Sequence, residues 1–327
     1  MKFLLVVLAV ACVAVVAATH LCYLFTWLLG KVGRFACHYR PFLLSMFALL
    51  GALLAAFLYG HYVGPYDVHT RQVDLRFRSI PSAFDGYRIV HISDLHLAGW
   101  IGHEDKLADA VGQINRLRPD LICFTGDLVS AGYEEFHTTL PVLRRLKAPD
   151  GVVAVFGNHD YSYYRRDFTD EQRERHVEEL IRMERSELRW HLLLNQSHIV
   201  RRGADSIAVI GSENQSCGVH HVIQKGNLPL AMQGTDGMFR ILLTHDPTHW
   251  RDSVLHRTDI PLTLSGHTHA MQFSMFGWTP ASLIYRESAG HYQEEGQQLY
   301  VNVGLGSVVP LRIGAYPEIT LLTLHQQ

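Results

Sequence analysis

The sequence lacks a charge excess of either sign: 29 Lys and Arg stand against 31 Asp and Glu, a formal net charge of -2. There is no basic field to hold a phosphate backbone and no acidic tail, so the composition excludes nucleic acid as a partner. Cysteine is also scarce. Five in 327 residues make no disulfide framework. Cys12, Cys22 and Cys37 fall in an apolar N-terminal region, Cys123 sits in a run that reads as a buried strand, and Cys217 remains as the loop thiol. Internal repeats and low-complexity tracts are absent. Two stretches lack Asp, Glu, Lys and Arg altogether, Phe3 to Leu29 and Phe42 to Tyr59. A helix needs about 20 predominantly apolar residues to cross a bilayer, and both stretches are long enough for that.

The first stretch runs well past the roughly 7–15 apolar residues of a cleaved signal peptide, so it reads as an uncleaved span. The second carries small residues every fourth position, Ala48, Ala52, Ala56 and Gly60. Such a row lets a partner helix approach closely, with Ala14 and Ala18 as the facing surface of a helical hairpin. His20 lies inside the first span and reads as a neutral histidine at a helix contact. Lys31, Arg34 and Arg40 lie between the spans and favour a cytoplasmic loop, which places the C-terminal part outside; Arg71, Arg76 and Arg78 pull the other way.

From about Tyr66 the periodicity changes. Tyr87–Ser93, Leu121–Thr125, Val152–Phe156, Ser206–Ile210, Phe239–Thr244, Leu262–Ser265 and Leu299–Val303 are short runs of Ile, Val, Leu and Phe that read as buried strands. Between the first two, Leu107, Ala110, Val111, Ile114 and Leu117 mark one helical face, stopped by Pro119. Further helices are expected over Phe136–Leu146 and Asp170–Glu187, the second capped by Thr169. Strands alternating with helices imply an α/β architecture.

Five polar clusters stand just after these runs: Asp94-Leu95-His96, Gly126-Asp127, Gly157-Asn158-His159-Asp160, Thr244-His245-Asp246 and Gly266-His267-Thr268-His269. Ligand sites in open α/β sheets form beyond the carboxyl ends of strands. Imidazoles, carboxylates and an amide oxygen form a mixed N/O donor set suited to Zn, Fe or Mn, with no thiolate. In extended backbone Asp94 and His96 would share a face, as would His267 and His269. Asp127, alone between two such sets, reads as a bridging carboxylate. Each cluster alone is weak, since any such motif occurs by chance. All five in one chain, each after an apolar run, are a strong joint signal.

Asp-x-His, Gly-Asp, Gly-Asn-His-Asp, a lone His and Gly-His-x-His in this order resemble the calcineurin-like metallophosphoesterase superfamily, from about Phe84 to the C-terminus. The stretch Phe84 to Leu97 and the stretch Leu299 to Leu324 are similar to its bacterial membrane-anchored or exported branch. One departure is Ala270-Met271-Gln272, where that branch usually has Gly-Gly-Gln. The resemblance implies a four-layer α/β/β/α sandwich. Added to the N-terminal transmembrane hairpin, it gives residues 1–63 as the hairpin (spans about 3–29 and 42–60), 64–83 as linker and first strand, and 84–327 as the catalytic domain.

The resemblance also implies two divalent transition-metal ions (Mn, Fe or Zn), about 3.5–4 Å apart and bridged by the attacking hydroxide. The first would take Asp94, His96, Asp127 and His269, the second Asp127, Asn158, His245 and His267. His159 would be the general acid, oriented by Asp160. The expected function is hydrolysis of a phosphomonoester or phosphodiester on a membrane-proximal or lipid-linked substrate, by a multi-pass protein of the bacterial cytoplasmic membrane. A narrower alternative is a UDP-2,3-diacylglucosamine pyrophosphatase of lipid A synthesis, and a second is an inactive membrane-tethered binding module. Arg165 or Arg166 could grip a second phosphate. Phe273, Met275, Phe276 and Trp278 could line an acyl groove, touch the bilayer or pack in the core. His220 and His221 read as a loop pair remote from the metals.

Overall fold

A computed structural model describes residues 2–217 and 223–327, so the pair His220 and His221 lies outside the described residues. The chain divides into two compact units, Met1–Gly64 and Pro65–Gln327. The first holds two helices, α1 (Lys2–Gly33) and α2 (Tyr39–Tyr62), each longer than a bilayer crossing needs. Along α2 the residues withdrawn from the surface are Leu43, Met46, Leu50, Leu53, Phe57 and Gly60. Ala48, Ala52 and Ala56 are exposed, as are Ala14 and Ala18 on α1, so the small-residue row is not the contact. The reason is angular: with 3.6 residues per turn, a strict fourth-residue row drifts by about 40° per step, whereas alternating steps of three and four stay on one side. His20 sits at the helix contact, where its Nε2 pairs with the Tyr39 hydroxyl at 2.9 Å.

The second unit contains β1 (His69–Phe77), β2 (Tyr87–Ile92), α3 (Glu104–Arg116), β3 (Leu121–Phe124), α4 (Phe136–Leu143), β4 (Val152–Ala154), α5 (Asp170–Arg182) and β5 (His191–Leu192). It continues with β6 (Gln196–Arg202), β7 (Asp205–Gly211), α6 (Leu228–Ala231), β8 (Phe239–Leu243), β9 (Leu262–Ser265), β10 (Gly290–Glu294), β11 (Gln297–Val301) and β12 (Glu318–Gln326). One sheet runs in the order β1-β12-β2-β3-β4-β5 and the other β10-β11-β9-β8-β7-β6. Strands β2 to β5 are parallel, as are β7, β8, β9 and β11.

Period-two alternation turns the sheets into a four-layer sandwich. Ile89, Leu121 and Val153 of the first sheet meet Val209, Ile241 and Leu264 of the second in a common core. Val90, Ile92 and Phe124 face the other way onto Leu107 and Ile114 of α3, Phe136 of α4 and Leu180 of α5. Ile210, Leu242 and Leu299 face Leu228 of α6, together with Trp250 and Val254.

Two helices are shorter than expected. α4 ends at Leu143, two residues after Pro141, which offers no N–H and crowds the preceding turn. α5, capped by Thr169 and Gln172, gives way to a π-turn at Met183–Glu187. Glu184 in that turn is fully buried, and neither carboxyl oxygen has a hydrogen-bond partner. Burial, and after it the nearby Asp160, push its carboxyl well above the usual carboxylate range. A buried acid whose pKa is raised by folding stabilises the fold fully below its unfolded value of about 4.3, and that contribution is lost as pH rises through the folded value. Glu184→Gln removes this loss. Its thermal unfolding midpoint is therefore expected to gain on the wild type between pH 5 and pH 8, and a constant difference across that range would refute the assignment.

Candidate metal centre

The seven candidate donors stand at the carboxyl ends of the central strands: Asp94 and His96 after β2, Asp127 after β3, Asn158 after β4, His245 after β8, His267 and His269 after β9. The expectation of extended backbone in the two paired motifs does not hold. Asp94, His96, Asp127, His267 and His269 all have positive φ, between 43° and 72°. These left-handed residues cost on the order of 1–3 kcal/mol each and persist only where the surroundings enforce them. Each turns the chain sharply off a strand, so a short loop delivers both side chains of a pair to the same crevice. Main-chain bonds lock the loops together: Asp94 N–H donates to the Gly126 carbonyl (2.9 Å), His96 N–H to that of Asp127 (3.1 Å), and Gly266 N–H to that of His245 (2.9 Å). His267 N–H donates to Asp94 Oδ2 at 3.0 Å and ties one sheet to the other. Gly157 and Gly266 sit where a Cβ would collide with Asp127 and Asp94 respectively, so only glycine lets the backbone come this close.

The donors gather into two sets. His96 Nε2 lies 3.1 Å from His269 Nε2, 3.6 Å from Asp127 Oδ2 and 3.9 Å from Asp94 Oδ1. Asp94 Oδ1 and His269 Nε2 are 3.2 Å apart. In the other set His245 Nε2 lies 3.2 Å from Asp127 Oδ2, 3.0 Å from Asn158 Oδ1 and 3.2 Å from His267 Nδ1. Asp127 Oδ2 belongs to both. Donors held at about 2.0–2.2 Å from one ion stand about 3.0–3.6 Å from each other, which is the spacing found here. Asp94 Oδ1 is buried without a hydrogen-bond partner. Ring nitrogens facing each other at 3.1 Å repel unless a proton or a metal ion lies between them. The residues therefore fit a divalent metal centre.

Electrostatics agree. Burial opposes the charged form of both carboxylates, but the imidazoles overcome it: His269 and His245 hold Asp94, and His245 and His159 hold Asp127, below the usual carboxylate range. Burial also opposes the His245 imidazolium, yet Asp127 and then Asp94 push its pKa up to about 10. Two buried anions in one crevice call for cations. His245 Nδ1 donates to the Thr125 carbonyl at 2.7 Å, which leaves Nε2 for the crevice.

The surrounding shell departs from expectation at Asp160. Its carboxylate does not orient His159; the His159 Nδ1–H donates instead to the Ser130 carbonyl at 2.7 Å. Asp160 accepts four backbone N–H groups, those of Asp127, Gly157 and Leu128 at 2.8 Å and Val129 at 3.2 Å. Burial and the neighbouring Asp127 raise its pKa, but all four lone-pair positions are taken by donors, so it is ionised and serves as the hub of the Asp127 loop. Glu135 does the same next door, accepting from Ala98, Ser130, Ala131 and Gly132. No spacing in the sequence marks Glu135.

Three further groups were equally silent. Tyr164 accepts from Asn158 Nδ2 at 2.8 Å, which turns the amide oxygen to the donors, and it stacks on His159 at 4.1 Å. Tyr285 places its hydroxyl 3.0 Å from His267 Nε2. Arg312, fully buried, donates to the carbonyls of Val303, Gly304, Gly306 and Ala315 and stands 3.2 Å from His269 Nδ1.

A cavity of about 220 Å³ opens over the donors, lined by Asp127, Asn158, His159, Tyr164, His267 and His269 with Tyr285, Met271 and Val308. Arg165 is paired with Asp167 and covers Phe168, so it offers no second phosphate grip. Met275, Phe276 and Trp278 are exposed, and Phe273 is half-buried. Ala270, Met271 and Gln272 have φ of 52°, 49° and 56°, a left-handed run where glycine would be unstrained.

Residues 87–271 match the family model of the calcineurin-like phosphoesterases. At 35% identity the chain is similar to the uncharacterized metallophosphoesterase YkuE of Bacillus subtilis (strain 168), over 87% of this chain and 96% of that one. It is 30% identical to a transmembrane protein with metallophosphoesterase domain of Danio rerio, over 78% of this chain and 56% of that protein, so it spans about half of that relative's length. The UDP-2,3-diacylglucosamine pyrophosphatase LpxG of Chlamydia trachomatis is 25% identical over 85% of this chain and 95% of its own.

Proposed function

Because the chain belongs to the calcineurin-like phosphoesterases and is a metal-dependent hydrolase, we propose that it cleaves a phosphomonoester or phosphodiester at a two-cation centre, on a membrane-proximal or lipid-linked substrate. The observation that carries the two-cation reading is Asp127 Oδ2, which stands in hydrogen-bonding or ion-pair range of donors from both sets. Asp94, His96 and His269 with Asp127 form the first ligand set, and Asn158, His245 and His267 with Asp127 form the second. When bound, divalent cations polarise the phosphoryl oxygens and acidify the attacking water, which lets hydrolysis proceed near neutral pH. The remaining work belongs to the chain. Tyr164 holds the Asn158 amide in its ligating orientation, Asp160 fixes the Asp127 loop, and His159 supplies the leaving oxygen with a proton while its Nδ1 stays on Ser130.

The metal-free binding module has no support, since both donor sets are complete. The membrane part of the proposal rests on two apolar helices of spanning length. They form a hairpin anchor, with the charged loop at Lys31, Arg34 and Arg40 inside and the catalytic unit outside. The Chlamydia relative supports a second reading, cleavage of the UDP-diacylglucosamine pyrophosphate bond. That substrate is cytosolic, so a C-terminal reporter found outside the cell would remove it.

The test is hydrolysis of a panel (chromogenic phosphodiester, phosphomonoester, nucleotide-lipid) by the purified full chain with Mn²⁺, Zn²⁺ or Fe²⁺. Turnover of at least one substrate is expected, abolished by chelation and restored by metal, with about two ions per chain by elemental analysis. A fully loaded protein inert towards the whole panel, or one active with a single ion, would defeat the proposal.

A further inference from the structure

We infer that the apolar rim around the mouth of the metal cavity is a bilayer-docking surface, which seats the leaflet presenting the phosphoester; this rests on the phosphoesterase reading of the same mouth. The second unit exposes few large apolar side chains, and most lie in one place. Met275 is 54% exposed, Phe276 100%, Trp278 48% and Leu283 77%, with Ile284 and Val308 beside them. Elsewhere in that unit only Ile101, Tyr163, Tyr164 and Leu230 are comparably exposed among the described residues, and Tyr164 itself lines the cavity. Scattered apolar side chains need no explanation, but a contiguous patch marks an interaction site.

The rim is built to protrude. Met275 N–H donates to the Trp278 carbonyl at 2.9 Å and Trp278 N–H to the Met275 carbonyl at 3.0 Å, closing a two-residue turn with Phe276 at its tip. Phe276 holds φ at 52° there. Ser274 N–H donates to the Ile313 carbonyl at 2.9 Å, and the Gln272 amide clamps Val309 and Leu311, so the turn is fixed to the wall of the site. A flexible apolar loop could fold back on itself, but this one cannot.

Two observations name the occupant. The rim is continuous with the cavity, because Met271 and Val308 line it together with the metal donors. Whatever covers the rim must therefore accept apolar side chains and deliver a phosphate ester alongside, as an amphiphile in a leaflet does. From Met271 to Tyr285 there is no Asp, Glu, Lys or Arg, and Arg286 follows with its side chain 72% exposed. An uncharged apron carrying a tryptophan, edged by a cation, suits the interface of an anionic membrane. The same chain carries two helices of bilayer-spanning length, so a leaflet is at hand.

The test uses the full chain in phosphatidylethanolamine–phosphatidylglycerol vesicles, with Mn²⁺ and two substrates: bis(p-nitrophenyl) phosphate in the water and hexadecyl p-nitrophenyl phosphate in the vesicle. The triple variant Phe276→Ser, Trp278→Ser, Leu283→Ser changes exposed side chains only, and fold stability should hold. Turnover of the soluble ester is expected to stay within about twofold, while that of the vesicle-borne ester falls about tenfold or more. Unchanged vesicle turnover would give the rim to a protein partner, and an equal fall of both would make it part of the catalytic frame; either overturns docking. Brominated-lipid quenching, compared between wild type and Trp278→Phe, reads docking without turnover: no Trp278 contribution overturns it even in an active enzyme. Loss of soluble turnover in the wild type, with quenching intact, would strike the phosphoesterase reading instead.

Discussion

Asp127→Asn is expected to lose at least one metal ion per chain and to lower phosphoester turnover about a thousandfold or more, since a bridged cation pair supplies several kcal/mol of charge stabilisation and each 1.36 kcal/mol is tenfold. The substitution is nearly isosteric. Asp127 Oδ1 accepts the His159 N–H at 2.8 Å, a bond an amide oxygen keeps. That choice turns the new NH₂ towards His96 and His245, which lie 3.6 Å and 3.2 Å from Oδ2 in the wild type. An amide nitrogen has protons where a ligand needs lone pairs, so the bridge is lost while the fold is not. The opposite flip would set NH₂ against the His159 N–H and lose that bond. Elemental analysis and turnover should therefore fall together, with the unfolding midpoint of the metal-free protein held or raised, because one buried anion has gone. Full turnover with both ions retained would show that Asp127 is not the bridge.

This variant isolates a feature the linear sequence conveyed well. The donors stand one to five positions beyond strands whose apolar runs were readable, and a strand end in an α/β sheet points to a crevice. Central strands, covered on both faces, have no polar side to interrupt the pattern. Edge strands were harder. β1 carries His69, Arg71, Asp74 and Arg76 on its exposed side, and β6 reads Gln-Ser-His-Ile-Val-Arg-Arg, so neither resembles a buried run. Charged, polar edges guard against unwanted pairing, and that same protection hides them from a hydrophobicity argument.

What supports the donors was least legible, for a physical reason. Asp160 and Glu135 act by accepting main-chain N–H groups from loops up to 37 positions away, and any carboxylate placed there would look the same in one dimension. Arg312 serves carbonyls of its own loop. Backbone partners leave no side-chain spacing to detect. The left-handed conformation of five donors was likewise invisible, because no glycine stands at those positions to announce it.

His159→Ala is expected to cut turnover of an alkyl phosphoester by about 10²–10⁴, the usual range for a lost general acid. It should barely affect a p-nitrophenyl ester, whose leaving group departs as a stable anion and needs no proton. The geometry supports this asymmetry. His159 is held through Nδ1, its ring stacks on Tyr164, and it stands 4.7 Å centroid to centroid from His96, facing the same cavity without being required by either donor set. Metal content should be unchanged, because the His159 N–H to Asp127 belongs to the backbone and survives the substitution. A merely structural histidine would lower both substrates equally and loosen the metals. Were the nitrophenyl and alkyl esters to fall by the same factor, His159 would be a ligand or a spacer, and the proton would have to come from water or another group at the mouth, with Tyr164 and Tyr285 the hydroxyls at hand there.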